Sequence, residues 1–332
     1  MAQPAPLAEV WRGAFRESHH VGHAVICDGA GQVLLAVGDP DAVVLPRSSS
    51  KMIQALPLVT SGAADAQGLG SEHLALACAS HEGAPMHVER VSRWLSDLGL
   101  ADDALRCGPQ VSRDTDLKLE MIRAHEMPCR VHNNCSGKHA GFLTLAQHLG
   151  AGPEYVDVTH PVQAACSDAF ETVTDQASPG FGIDGCSAPN FATTMQGMAR
   201  AMAYYATADQ RSDRMSAAAA RLVAAMHTHP ELVAGEGRAC TRLMRAAAEP
   251  VALKTGAEGY FVAILPKRGL GIAVKAADGA TRAAECAIAA LLVRLEVLDT
   301  ANPEVKAFLN PQVHNWDGLI TGEIKPAPGL LA

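Results

Sequence analysis

Apolar positions fall into short β-like runs near both ends of the chain and longer helix-like runs between them. His23–Asp28 and Gln32–Gly38 flank Gly29-Ala30-Gly31, a spacing that predicts a hairpin. Tyr260–Pro266 and Leu270–Lys275 form a second pair around Lys267-Arg268-Gly269, and Val251–Thr255 offers a third strand ahead of them. Thr281–Leu298 has dense apolar positions among good helix formers and predicts a long helix. From Asn302 onward, Pro and Gly predict an irregular tail. Helical spacing covers Lys51–Thr60, His87–Leu98, Gly137–Leu149, Pro161–Thr174, Asn190–Tyr205, Asp213–His227 and Ala239–Ala248. The short apolar run Leu74–Ala77 suggests a strand ending near Ser80. Strands at both ends with helices between predict an α+β protein, an αβα sandwich whose antiparallel sheet is formed by both termini. The expected division is a sheet domain from 1–50 plus 250–332, with a mainly helical region, 51–249, inserted.

The 332 residues are 48 % hydrophobic and 19 % charged, which fits a soluble globular chain with a sizeable core and excludes dominant disorder. Net charge is −8 and no long Lys/Arg run is present, so a nucleic-acid footprint is not expected. Ala283–Val293, among the longest apolar stretches, is interrupted by Glu285 and followed by Arg294, so no membrane span is expected. The start of the chain lacks a basic segment followed by an apolar one, which points to the cytoplasm. Nine cysteines without close CxxC pairs are expected as thiols or metal ligands, not as a disulfide framework.

Four segments can carry chemistry. In Arg47-Ser48-Ser49-Ser50-Lys51, Ser48 and Lys51 are three residues apart and share a face if both lie in one helical turn. A neutral lysine there could deprotonate the serine, provided burial or a neighbouring cation lowers its pKa. The same spacing also fits a serine cap beside a surface lysine. Lys254-Thr255-Gly256 ends a late strand; with the earlier Ser-x-x-Lys it has the layout of serine β-lactamases and penicillin-binding proteins. His132-Asn133-Asn134-Cys135-Ser136-Gly137-Lys138-His139 precedes a helix. Cys135 there could ligate a metal, with Lys138 or His139 one turn on and Cys186 of Gly185-Cys186-Ser187 completing the site. Buried thiols are the plainer alternative. In Cys78-Ala79-Ser80-His81-Glu82, Ser80 could act as nucleophile, hydrogen-bond donor or simple loop residue.

Together these segments resemble the class 3, rhizobial-type L-asparaginases, over about Val21 to Gly322. The resemblance implies a β-lactamase/glutaminase-like fold and a homodimer that hydrolyses the small molecule L-asparagine to L-aspartate and ammonia. It implies two Ser-Lys pairs, Ser48 with Lys51 and Ser80 with Lys254, and a Zn²⁺ held by Cys135, Lys138 and Cys186. Ser48 is the expected nucleophile, Arg47 the partner of a substrate carboxylate and Asp184 that of an ammonium. A lysine base predicts activity that rises with pH. A glutaminase or another serine acyl hydrolase on the same fold, and a non-enzymatic zinc-binding scaffold, are the alternatives.

Overall fold

The computed structural model describes residues 3–331. Its main sheet is antiparallel throughout and runs in the order Gln312–His314, Ile320–Pro326, Ala5–Arg12, Phe15–Asp28, Leu270–Ala276, Tyr260–Leu265, Ala252–Gly256. An eighth strand, Val33–Val37, pairs with the second half of Phe15–Asp28, end to end with Ala5–Arg12 along the same edge. Both ends of the chain therefore build one sheet, and the predicted hairpin and the predicted late pair are both present. Tyr260–Leu265 is buried at every position, as expected for a strand covered on both faces.

The helix Met195–Ala206 packs on Phe15–Asp28, Leu270–Ala276 and Tyr260–Leu265. The helix Thr281–Arg294 packs on the opposite face. The fold is thus an αβα sandwich of the α+β class. Small residues set the layer spacing. A Cβ at Gly271 would lie 2.1 Å from the backbone nitrogen of Ala203, so only glycine lets the helix come this close.

Five points of the sequence reading need correction. The tail after Asn302 is ordered: Asn302 caps the helix Pro303–Leu309, and Gln312–His314 and Ile320–Pro326 join the sheet. Ala5–Arg12, which the alternation did not reveal, is a strand with register shifts at Pro6/Ala8 and Val10/Trp11; each shift inverts the inside-outside pattern. Leu74–Ala77 belongs to the helix Ser71–Ala77. The stretch from Asn190 begins with the strands Pro189–Phe191 and Thr193–Thr194, and its helix starts only at Met195, where the Thr194 hydroxyl accepts from the Gly197 N–H at 3.0 Å. The predicted helix Lys51–Thr60 is also divided, into Lys51–Gln54 and Leu56–Thr60, because Pro57 has no N–H to continue the ladder.

Candidate active site

Lys254 lies on the strand Ala252–Gly256, and its side chain is fully buried. Its Nζ donates to Ser80 Oγ at 2.8 Å and to Thr255 O at 2.7 Å. Ser80 follows the helix Ser71–Ala77 in a turn fixed by its own N–H donating to Val233 O at 2.9 Å and by the His81 N–H donating to Asn134 O at 3.2 Å. Lys51, also fully buried, donates to Ala79 O and, at 3.4 Å, to Asn134 O. Two lysines from different elements thus bond to the adjacent residues Ala79 and Ser80. Burial, and next the charge of Lys51, push the Lys254 ammonium down to about 7, so half of this side chain is neutral near physiological pH.

Arg47–Ser50 forms a short 3₁₀ turn that lies against the strand carrying Lys254, with Ser49 Oγ donating to Lys254 O at 3.4 Å. Gly256 makes this approach possible, since a Cβ there would sit 2.7 Å from Ser49 Oγ and 2.8 Å from Pro46 O. Ser48 is half-buried. Among the described residues the Lys51 N–H donates to Ser48 O, but no side-chain hydrogen bond joins Ser48 Oγ to Lys51 Nζ, and none takes up the Ser48 backbone N–H. The structure therefore joins the Ser80 and Lys254 side chains directly and leaves the Ser48 and Lys51 side chains on one turn without a bond between them.

Arg47 adopts the left-handed conformation (φ 52°), which is uncommon for a side-chain-bearing residue. Asn190 holds it there: its Oδ1 accepts the Arg47 N–H at 3.1 Å and its Nδ2 donates to Arg47 O at 3.2 Å. Asn190 escaped the sequence reading because a lone asparagine in a predicted helix carries no local signal. So held, the guanidinium donates through Nε (2.9 Å) and Nη2 (2.8 Å) to Asp184 Oδ1, which also accepts the Gly185 N–H at 2.8 Å. The two residues expected to meet a zwitterion thus meet each other, with the Asp184 side chain 11 % exposed and Oδ2 left uncommitted.

Cys135, Lys138 and Cys186 converge and are all buried. Lys138 extends from the buried helix Ser136–His148, and its Nζ lies 3.1 Å from Cys186 Sγ and over the Phe142 ring at 5.2 Å. Burial opposes the Lys138 charge, but Cys186, Cys135 and Asp184 outweigh it and push its pKa up. The Cys186 thiol is held well below its usual range by the hydrogen bond from Cys135, with Lys138 adding to this and burial opposing it. The same contact and burial push Cys135 up, and its sulfur lies 2.8 Å from Asn134 Oδ1. Among the described residues no group of three His, Cys, Asp or Glu side chains is placed to hold a metal ion, so a metal here needs the lysine nitrogen.

Two histidines have roles fixed by their hydrogen bonds. His81 accepts the Gly83 N–H at Nδ1 (3.1 Å), so Nε2 carries the proton and donates to Ser136 Oγ at 3.0 Å. Burial holds this ring well below its usual pKa, and it stacks on His87 as a neutral structural group. The Tyr155 hydroxyl accepts the Arg106 N–H at 2.6 Å and so donates to His139 Nδ1 at 2.9 Å. His139 Nε2 then bears the proton; it is buried, has no partner within hydrogen-bond distance, and faces Cys186.

An antiparallel sheet between helical layers, with Lys254 reaching Ser80 from the late strand, is the frame in which the site lies. Residues 8–326 match the family described as L-asparaginase II, and the chain belongs to that family of amidohydrolases. No curated protein sequence matches it significantly. Similar solved structures include Mglu in its native form, at TM-score 0.47 and 16 % identity over 84 % of this chain and 66 % of that one. Mglu in its tris and glutamate form gives 0.48 and 15 %, over 91 % and 64 % respectively. A β-lactamase from Mycobacterium bovis gives 0.33 and 14 %, over 85 % and 91 %. The chain spans about two thirds of the length of the Mglu chains. Among the described residues no helix is long and apolar enough to cross a membrane.

Proposed function

We propose that this amidohydrolase acts on L-asparagine, releasing ammonia and L-aspartate by acyl transfer to a serine. The observation that carries the reading is the buried Lys254–Ser80 contact, with Lys51 bonded to the adjacent Ala79, in a chain of the L-asparaginase II family.

Ser48 is the nucleophile. Its free N–H supports this role, because a tetrahedral intermediate needs backbone donors for its oxyanion, and the Ser80 N–H is already given to Val233. The Ser48 hydroxyl attacks the carboxamide carbon, and its proton passes to the lysine pair. The C–N bond then breaks as a protonated lysine returns a proton to the leaving nitrogen, which departs as ammonia. Water cleaves the Ser48 ester by the same steps in reverse roles, giving the side-chain carboxylate. Ser80, held by Lys254 at 2.8 Å, relays the proton. Arg47 takes the α-carboxylate of the substrate and Asp184 its ammonium. Their mutual ion pair supports this, because a zwitterion with adjacent charges can insert between them.

The donor set Cys135, Cys186 and Lys138 fits a zinc ion, with the unpartnered His139 Nε2 marking a polar space beside the sulfurs. Zinc would replace the proton that Lys138 shares with Cys186. In this arrangement His139 is not a ligand, because its Nδ1 lone pair accepts from Tyr155 and its Nε2 bears the proton. Bound there, the ion supplies structural charge compensation, tying the helix Ser136–His148 to the loop of Asp184. We further propose that the protein works as a homodimer, as the family resemblance implies.

Trapping tests the nucleophile. Acid quench during asparagine turnover, followed by proteolysis and mass spectrometry, should find the aspartyl ester on the peptide holding Ser48. An adduct on the Ser80 peptide instead would exchange the roles of the two serines.

A further inference from the structure

The turn that carries Ser80 is pressed against the start of the helix Ser136–His148. Gly137 permits this approach, since a Cβ there would lie 2.5 Å from Leu76 O in the helix Ser71–Ala77. A side-chain bond joins the two segments: His81 Nε2 donates to Ser136 Oγ at 3.0 Å, and both residues are fully buried. His81 directly follows Ser80, and Ser136 lies between Cys135 and Lys138 in sequence. The bond therefore runs from the neighbour of one functional group to the neighbour of two others.

His81 is held as a rigid strut. Its Nδ1 accepts the Gly83 N–H at 3.1 Å, and its ring stacks on His87 with centroids 4.8 Å apart and planes 10° from parallel. His87 is buried as well and is anchored by Nε2 donating to Glu231 O at 2.9 Å. On the other side the Ser136 hydroxyl donates onward to Val131 O at 2.9 Å. A planar ring fixed at both nitrogens and on one face cannot swing as a longer, rotatable donor would, and no solvent competes for a bond at this depth. Burial also keeps the ring neutral, so the bond persists over the pH range in which Lys254 titrates. The Ser80 and His81 N–H groups already donate to Val233 O and Asn134 O, which satisfies the main chain of the turn. The His81 side chain adds the distance between that turn and the helix that carries Lys138.

We propose that His81 is a positioning residue for the hydrolysis: through Ser136 it locks the Ser80 turn to the start of the helix Ser136–His148 and so sets the contact between Ser80 and Lys254. The inference deepens the reading of Ser80 as a proton relay and rests on it. A relay works only while donor and acceptor stay at hydrogen-bond distance, and a misplacement of about 1 Å can cost about a hundredfold in rate.

The test compares wild type with Ser136→Ala, His81→Asn and His81→Gln, each checked for an unchanged circular dichroism spectrum and metal content. Asparagine puts an oxygen where Nδ1 accepts from Gly83 but does not reach Ser136, whereas glutamine brings an amide N–H to the place of Nε2 and keeps the bridge. Thr144→Val is the control, because it removes a buried bond of the same kind from the same helix, Trp94 Nε1 to Thr144 Oγ1 at 3.1 Å. Two quantities are read: kcat and KM for L-asparagine, and the NMR titration of the Lys254 ε-carbon, which needs no substrate. Ser136→Ala and His81→Asn should each lower kcat at least about tenfold and leave KM within about twofold, because the Arg47–Asp184 end is untouched. Both should raise the Lys254 midpoint by at least about half a pH unit, since a loosened Ser80 admits water to the amine. His81→Gln should recover most of the wild-type kcat, and Ser136→Ala combined with His81→Asn should do no more harm than either alone. Thr144→Val should lower the Tm with kcat and midpoint unchanged. Wild-type kcat and midpoint in Ser136→Ala, additive losses in the double variant, or the same losses from Thr144→Val would overturn the positioning role. No turnover of L-asparagine by wild type would instead overturn the asparaginase reading, and the Lys254 titrations would still decide on His81.

Discussion

At the residue scale the chemistry turns on where protons sit. Lys254 is pushed down to about 7 by burial and by Lys51, so it becomes a base as pH rises through that value. kcat/KM should therefore fall below pH 7 and climb to a plateau above it, and a pH–rate profile checks this. Activity that declined through neutrality would assign the base elsewhere. The sequence alone predicted a rise into the alkaline range; the depth of burial that brings it to neutrality depends on the fold and has no local signal. Ser48→Ala should reduce kcat by at least about a thousandfold, as expected when a nucleophile is removed, and Ser80→Ala by less, since water can replace a relay hydroxyl. Steady-state kinetics on both variants orders the two serines.

At the element scale two glycines separate stability from activity. Gly271 admits the helix Met195–Ala206 to the sheet, and Gly256 admits the Arg47–Ser50 turn to the strand of Lys254. Gly271→Ala should destabilise the fold by about 1–3 kcal/mol, the usual cost of overpacking, and shift urea denaturation accordingly. Gly256→Ala should lower kcat more than tenfold with a smaller shift in the urea midpoint, because it displaces Ser49 and the turn that bears Ser48. Equal effects of the two on stability and rate would remove the distinction.

Legibility at this scale followed local regularity. Pro161–Thr174 was readable because Pro at its start and steady helical spacing act together. Ala5–Arg12 was not, because its bulges break alternation, and Ile320–Pro326 was not, because its mostly half-exposed residues display no clear apolar face. The order of the sheet itself depended on both ends of the chain, and the strands around Gly29–Gly31 and Lys267–Gly269 were enough to suggest it.

At the scale of the whole molecule, segments far apart in sequence form one site. Ser48, Ser80, Cys135, Asp184 and Lys254 come from five segments, and each was visible as a motif. Local spacing suggested only Ser48 with Lys51; Ser80 with Lys254 came from the family resemblance, and the side-chain hydrogen bond between them spans 174 positions. Asn190 carried no motif at all and emerges only from the packing around Arg47. Protein purified without added metal should contain close to one equivalent of zinc by elemental analysis, and chelation should raise KM more than it lowers kcat, because the ion ties Lys138 to the loop of Asp184. Less than a tenth of an equivalent, with full activity in chelator, would return Cys135 and Cys186 to the role of buried thiols.

The most direct test of the central claim is ammonia release by the purified protein, with L-asparagine and L-glutamine assayed side by side at pH 8. L-Asparagine should give the higher kcat/KM by at least about tenfold, the usual worth of one methylene in a fitted site. No ammonia from L-asparagine, or a preference for L-glutamine, would contradict it.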